Sequence, residues 1–242
     1  MPDYLADISV NLRDVKEKVR TAAEKSGRNF SDVTILAASK TRSPEEISEA
    51  AAAGVNVFGE NYVQEFLKKY ELLSLERNLD IRWHLIGHLQ KNKVKYIIGK
   101  TDLIHSVDDI VLAKIMDDIS ASRRTVSNIL IEVNVAGEKT KNGTSPERAS
   151  ELAGEINGLQ WMSLKGLMAM PPSGENNREY FRLLRELLDD INKKNVYREK
   201  LSVLSMGTSG DFETAVEEGA TIVRLGTVLF GERHINKRKE LD

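Results

Sequence analysis

Eight short apolar segments, separated by stretches of helical periodicity, recur along this chain, and that alternation restricts its fold more than any other feature. The strand-like segments are Val33–Ala38, Val55–Gly59, Ile81–Ile86, Asp102–Val107, Asn128–Val135, Met162–Met168, Leu201–Ser205 and Thr221–Leu225. Helix-like segments precede and separate them: about Leu5 to Lys25, Pro44–Ala53, Tyr62–Arg77, Leu89–Gly99, Asp109–Ser122, Pro146–Asn157, Asn177–Lys194 and Phe212–Glu218. Ser43-Pro44-Glu45-Glu46 and Ser145-Pro146-Glu147 place a capping serine before a proline at the first helical position. Gly54, Gly99, Gly158 and Gly219 stand where helices stop. Strands alternating with helices require parallel pairing through right-handed crossovers. Eight such units in 242 residues predict an α/β fold, a (β/α)8 TIM barrel with an extra amino-terminal helix, filling residues 1–242 as a single domain. An open doubly wound sheet is the structural rival. No Gly-x-Gly-x-x-Gly turn follows the first strand, which weakens a dinucleotide-binding version of it.

Composition excludes several classes of function. Net charge is −2 and the pI is near 6.2, so nucleic acid is a poor partner. Cysteine is absent, which removes disulfides, thiolate metal sites and cysteine nucleophiles together. His84 and His88 are four apart, but Gly87 and the strand-to-helix transition break the one-face geometry of a zinc pair, and no metal is expected. The amino terminus is charged and helix-periodic without the apolar core of a signal peptide. No apolar run is long enough to cross a bilayer. A cytoplasmic protein without membrane contact is expected.

In a β/α barrel the reactive groups gather where strands end. Those ends carry Lys40, Gly59-Glu60-Asn61-Tyr62, His84 to His88, Ser106, Asn134, Gly166 to Met168, Ser205 to Ser209, and Arg224-Leu225-Gly226-Thr227. Closure sets the first and last strands side by side, so Lys40 and Arg224 open onto one mouth. A lysine at the end of a buried strand is costly without work or a partner. Lys40 is either a rim lysine in a salt bridge or an imine-forming amine. Burial or the nearby Arg224 cation would lower its pKa from about 10.4 and free the lone pair. Ala38 and Ser39 are small and leave room for a flat ring. Ser209, Gly226 and Thr227 compose a phosphate-sized group in the loops after strands seven and eight. Asp211 is placed to cap a helix near Phe212, whose free amides favour an anion. Separately, Gly226 reads as a turn and Ser209 as a cap; beside Lys40 the site reading outweighs this.

An amine next to such a loop points to pyridoxal 5′-phosphate (PLP) held as a Schiff base. Arg224, facing the pyridine nitrogen, could only donate, which leaves that nitrogen unprotonated and the electron sink muted. Its alternative is a structural salt bridge with a loop carboxylate. His84 and His105 read as barrel-interior residues, and Lys91, Lys93, Lys95 and Lys100 as a solvated helix face. Met168, Met170, Pro171 and Pro172 form a loop over the mouth or packing.

These residues lie in stretches that resemble the pyridoxal-phosphate homeostasis (YggS/PROSC) family and, more distantly, the barrel domain of alanine racemases. The stretches are AASKTRSPEEI around Lys40, FGENYVQE at 58–65, WHLIGHLQKNK at 83–93, IHSVD at 104–108, GLMAMPP at 166–172, LSMGTSGDFETAVEEGAT at 204–221 and VRLGTVLFGER at 223–233. They cover almost the whole chain. The resemblance implies a fold-type III barrel with PLP bound covalently to Lys40, Arg224 near the pyridine nitrogen, and the phosphate around Ser209, Gly226 and Thr227. Asn61 falls where the family has a residue near the cofactor. Thr208 departs from the pattern, since family members often carry methionine there.

Two functions from different classes follow. The first is a handler that keeps free PLP low and passes it to apo-enzymes in vitamin B6 homeostasis. The alternative is a PLP-dependent amino-acid racemase, which needs an acid/base on each face of the substrate carbon. In the racemases the second base is a tyrosine, from a carboxyl-terminal β domain that this chain, ending in HINKRKELD, is expected to lack. Tyr62 or His84 would then have to serve. A more exposed cofactor also exchanges more easily. Both points favour the handler, and the absent dimer-building domain favours a monomer. A cofactor-free barrel enzyme acting on sugar phosphates is a third reading, which leaves Lys40 without a specific partner.

Overall fold

The computed structural model describes residues 7–76, 79–138, 140–172, 177–194 and 199–232; Leu5, Arg77 and the segment 233–242 of the sequence reading lie outside them. Eight strands close in chain order into a parallel barrel. They are β1 (Thr34–Ala38), β2 (Val57–Glu60), β3 (Arg82–Leu85), β4 (Leu103–Val107), β5 (Ser127–Val133), β6 (Met162–Ala169), β7 (Val203–Ser205) and β8 (Ile222–Leu225). β8 returns to pair with β1, Leu36 standing opposite Arg224, so the predicted TIM barrel forms and the open sheet does not.

Around the barrel lie α1 (Ile8–Lys25), α2 (Pro44–Ala52), α3 (Val63–Leu73), α4 (Val94–Ile97), α5 (Ile110–Arg123), α6 (Pro146–Asn157), α7 (Arg178–Lys194), α8 (Phe212–Glu217) and α9 (Thr227–Phe230). The extra amino-terminal helix, α1, starts where Asp7 accepts hydrogen bonds from the amides of Ser9 and Val10 at 3.0 and 3.2 Å. It packs against α8 and α9, and Asn11 Nδ2 donates to the Leu229 carbonyl at 2.9 Å. Ser43 and Glu46 form a capping box at the start of α2, and Ser145 caps α6, as their spacing predicts.

Because side chains alternate along a strand, each β-strand serves two cores. Leu36, Val57, Ile86, Leu103, Leu130, Met168 and Ile222 fill the barrel interior. Ala37, Phe58, Trp83, Ile104, Leu167 and Val223 face outward into the larger core beneath the helices. There Phe66 of α3 meets Trp83 edge-on at 5.6 Å, and Trp83 lies 6.0 Å from Phe58. Each fully buried side chain of this size contributes about 1.5–3 kcal/mol.

The segment predicted as a helix over Leu89–Gly99 is shorter: a 3-10 turn at Lys91–Lys93 leads into the single turn of α4. Its start has no side-chain cap and its first turn is basic, which opposes the helix dipole. Gly54 and Gly219 end their helices in the left-handed region at φ 101° and 103°, whereas Gly158 stops α6 at φ −76°. No helix among the described residues is long and apolar enough to cross a membrane.

Candidate functional site

The carboxyl ends of β1, β2 and β8, with the loop after β7, enclose a cavity of about 360 Å³. Lys40, Asn61, Ser209, Arg224, Gly226 and Thr227 all line it, so the structure brings together the six residues that the sequence assigns to the cofactor. Lys40 continues the inward alternation of Leu36 and Ala38, and Ala38 lines the same wall. Ser39 points the other way: its hydroxyl donates to Glu60 Oε1 at 2.6 Å, outside the barrel wall, and it makes no room in the cavity. Thr41 then adopts φ 67°, a left-handed conformation costing a residue with a Cβ about 1–2 kcal/mol.

Beside this wall, at the end of β8, the Ser209 hydroxyl oxygen accepts from the amides of Gly226 at 3.2 Å and Val228 at 3.4 Å. Both lone pairs are then engaged, which leaves the hydroxyl hydrogen to donate towards a ligand. The Leu229 and Phe230 amides of α9 donate to the Gly226 carbonyl at 3.0 and 2.9 Å, which leaves the amide of Thr227 for a ligand. Hydroxyl and amide donors thereby converge beside Thr227. The expected cap at Asp211 does not form: its carboxylate accepts from the Thr208 amide at 2.6 Å, the Thr208 hydroxyl at 3.0 Å and Asn177 Nδ2 at 2.7 Å. A short acidic side chain folded back on its own turn satisfies itself locally, and here that competes with capping α8.

Arg224 is buried beneath the cavity. Its Nη1 donates to the Ser205 carbonyl and hydroxyl oxygens, each at 2.7 Å, and its Nη2 to the Ala169 carbonyl at 2.8 Å. Among the described residues no carboxylate forms an ion pair with it, so the predicted loop salt bridge is replaced by main-chain acceptors. Its Nε is buried and has no hydrogen-bond partner. Burial lowers the pKa of Arg224 to about 10, against the opposing charges of Glu132 and Asp211. Beyond it, Ser205 Oγ lies 2.9 Å from His105 Nδ1, and His105 Nε2 lies 3.0 Å from His84 Nδ1. Burial, and secondarily Arg82, brings His84 down to about 3. Burial also pushes His105 well below the ordinary range, helped by His84 and Arg224. Both rings are neutral interior groups, as read from the sequence. Glu132, also near this mouth, is raised to about 7 by burial and then by Asp108, with Arg224 opposing.

The sequence reading passed over Arg42, which lines the cavity while nearly buried. It donates to Glu46 Oε1 at 3.0 Å and to the Gly231 carbonyl at 2.6 Å, tying the β1 loop to the end of α9. A second cation two residues after Lys40 was the available signal. Met170 also lines the cavity and sets its sulfur 3.7 Å from Arg224 Nη2, which places that loop over the mouth. Met168 packs inside the barrel instead. Tyr62 is 62% exposed and lines a neighbouring cavity of about 370 Å³ that shares Asn61. Chemically, the first cavity offers an amine at the end of β1, an oriented guanidinium donor below, and hydroxyl and amide donors beside them at the end of β8. That set suits a flat, phosphorylated carbonyl compound.

Residues 10–234 match the alanine racemase N-terminal domain family. The pyridoxal phosphate homeostasis protein of Aquifex aeolicus (strain VF5) is 50% identical over 225 residues, covering 92% of this chain and 96% of its own. Among solved structures, PipY of Synechococcus elongatus PCC7942 with PLP bound aligns at a TM-score of 0.81 and 31% identity, over 93% of this chain and 100% of PipY. An alanine racemase of Clostridium difficile 630, only 15% identical, shares the fold at a TM-score of 0.72 over 95% of this chain and 60% of the racemase. With a family match over nearly its whole length and a half-identical relative, this chain belongs to the pyridoxal phosphate homeostasis proteins, built on the alanine racemase N-terminal domain.

Proposed function

We propose that this chain, a single barrel domain over residues 1–242, binds PLP in the cavity at the ends of β1 and β8, holds it as a Schiff base on Lys40, and passes it to apo-enzymes as a cytoplasmic monomer in vitamin B6 homeostasis. The observation that carries this reading is the buried, unpartnered Nε of Arg224 at the cavity floor. A buried donor without an acceptor is costly, and a ring nitrogen in the cavity is the kind of acceptor it lacks. The rest of the lining fits the same molecule: Lys40 for an aldehyde, and Ser209, Gly226 and Thr227 for a phosphate. Asn61, whose buried Oδ1 has no donor either, completes the wall.

Bound PLP supplies an electrophilic aldehyde carbon. Lys40 would supply the amine that such a carbon takes up. Arg224 would offer its Nε hydrogen to the ring nitrogen, which would leave that nitrogen unprotonated and hold back carbanion chemistry. The Ser209 hydroxyl and the Thr227 amide would hold the phosphate. The racemase alternative needs a second acid/base across the substrate carbon. Among the described residues lining the cavity, Lys40, Arg42 and Arg224 are the titratable ones. His84 is bonded to His105 inside the barrel, and Tyr62 lies in the neighbouring cavity. This supports the handler.

The test is a visible spectrum of the purified protein with PLP, before and after borohydride, with mass mapping of the reduced peptide. A phosphopyridoxyl group on Lys40, absent from Lys40→Ala, is expected. A wild type that takes up no PLP would reject the reading. Hand-over is tested separately by restoration of an apo-enzyme's activity from the loaded protein while free PLP is destroyed.

A further inference from the structure

Resting on the reading of Lys40 as the Schiff-base residue, we infer that Lys69, with Glu60 and Glu65, is a positioning unit that sets the direction of the Lys40 amine. The three lie between the barrel wall and α3, outside the cavity and apart from its lining. Glu60, at the end of β2, is fully buried, and Lys69 on α3 is nearly so. Lys69 Nζ donates to Glu60 Oε1 at 2.8 Å, to Glu65 Oε1 at 2.7 Å and to the Ser39 carbonyl at 2.7 Å. An ammonium has three hydrogens, and these contacts use all of them. The Thr41 amide in turn donates to Glu65 Oε1. The carbonyl before Lys40 is therefore held by the cation and the amide after it by Glu65, while Glu60 accepts from the Ser39 hydroxyl and fixes the cation.

The backbone so held is one that would otherwise relax. Thr41 sits at φ 67°, where residues bearing a Cβ seldom rest. A buried ionic cluster is a poor stabiliser, because desolvation of the charges consumes the attraction between them. Glu60 carries that cost visibly: burial raises its pKa despite Lys69, and its Oε2 is buried without a partner. What the cluster supplies is a fixed origin for a long side chain. Lys40 carries its amine at the end of four methylenes, so a small rotation of the main chain becomes a large displacement at Nζ. A misplacement of about 1 Å slows a reaction by about a hundredfold.

The experiment compares wild type with Glu60→Gln/Lys69→Met, which removes the two buried charges together and leaves Glu65, 25% exposed, with the Thr41 amide alone. Three quantities are measured beside the melting temperature. They are hydrogen exchange of the peptide containing Thr41 in the cofactor-free protein, the rate of PLP capture, and the affinity for deoxypyridoxine 5′-phosphate, which lacks the aldehyde. Exchange at Thr41 is expected to rise about tenfold or more. Capture should slow by about ten- to a hundredfold, while affinity for the aldehyde-free analogue stays unchanged. Glu65→Gln, at a position 25% exposed, gives the same comparison if the double variant fails to fold. Unchanged capture and unchanged exchange would overturn the proposal and leave Lys40 intact as the Schiff-base residue. Parallel losses of capture, analogue affinity and melting temperature would assign the cluster to the fold alone and also overturn it. A wild type that binds the analogue but never captures PLP would remove Lys40 from its role and the positioning unit with it.

Discussion

Glu132→Gln is expected to stabilise the protein at alkaline pH and to do nothing at acid pH. Burial and the neighbouring Asp108 raise Glu132 from its ordinary 4.5 to about 7, only partly opposed by Arg224. A carboxyl raised in the folded state binds its proton more tightly there than in the unfolded chain. Its contribution is fully present below pH 4.5 and is lost as the pH rises through 7. At about 1.4 kcal/mol per pH unit, the displacement is worth at most about 3 kcal/mol, and partial solvent contact reduces it towards 1–2. Glutamine has the shape of the protonated acid and never ionises, so the variant keeps at high pH what the wild type loses. Urea unfolding of both proteins near pH 4 and near pH 8 measures the difference directly. Equal stabilities at both ends would show that Glu132 ionises without penalty and that the mouth is wetter than its packing implies. A variant less stable at high pH would reverse the sign and refute the reasoning.

Ser209→Ala removes the acceptor shared by the Gly226 and Val228 amides together with a ligand hydroxyl. Affinity for PLP and for inorganic phosphate should both fall about tenfold by calorimetric titration; unchanged values would take Ser209 out of the site. Gly87→Ala would set a Cβ 2.3 Å from the Asn61 carbonyl oxygen, so the turn after β2 must shift. A loss of about 1–3 kcal/mol in denaturant unfolding is expected, and a neutral result would show that the turn yields freely. His84 should stay uncharged across the physiological range, with a nitrogen-15 NMR midpoint near 3. A depressed histidine contributes stability that is present above pH 6.5 and lost as the pH falls towards 3, and a midpoint near 6.5 would contradict its burial.

Strand positions were legible because apolar runs bounded by glycine or polar residues have few other uses, and closure followed from their number and order. Within that frame the neighbourhood of Lys40 and Arg224 needed no tertiary data, since strands one and eight must touch. Contacts made through space were not legible. His84 and His105 meet across two strands, and the Glu60–Lys69 pair forms only once α3 has folded back over β2. Asp211 shows a different limit: an acidic residue before a helix can cap it or bond to its own turn, and the tertiary neighbour Asn177 decides. The single turn of α9 escaped notice because four residues carry no period, yet it supplies amides beside Thr227.

Arg224 has no lone pair to offer, so its contact with the Ser205 hydroxyl runs only outward from the guanidinium. Nη1 spends its two hydrogens on Ser205, and Nη2 its two on the Ala169 carbonyl and the Met170 sulfur. Behind Ser205 stand two imidazoles that burial keeps uncharged, so nothing beneath the cation competes for it. A guanidinium tied down at four of its five hydrogens is fixed in heading as well as in place, and the fifth, on Nε, is the one it holds in reserve.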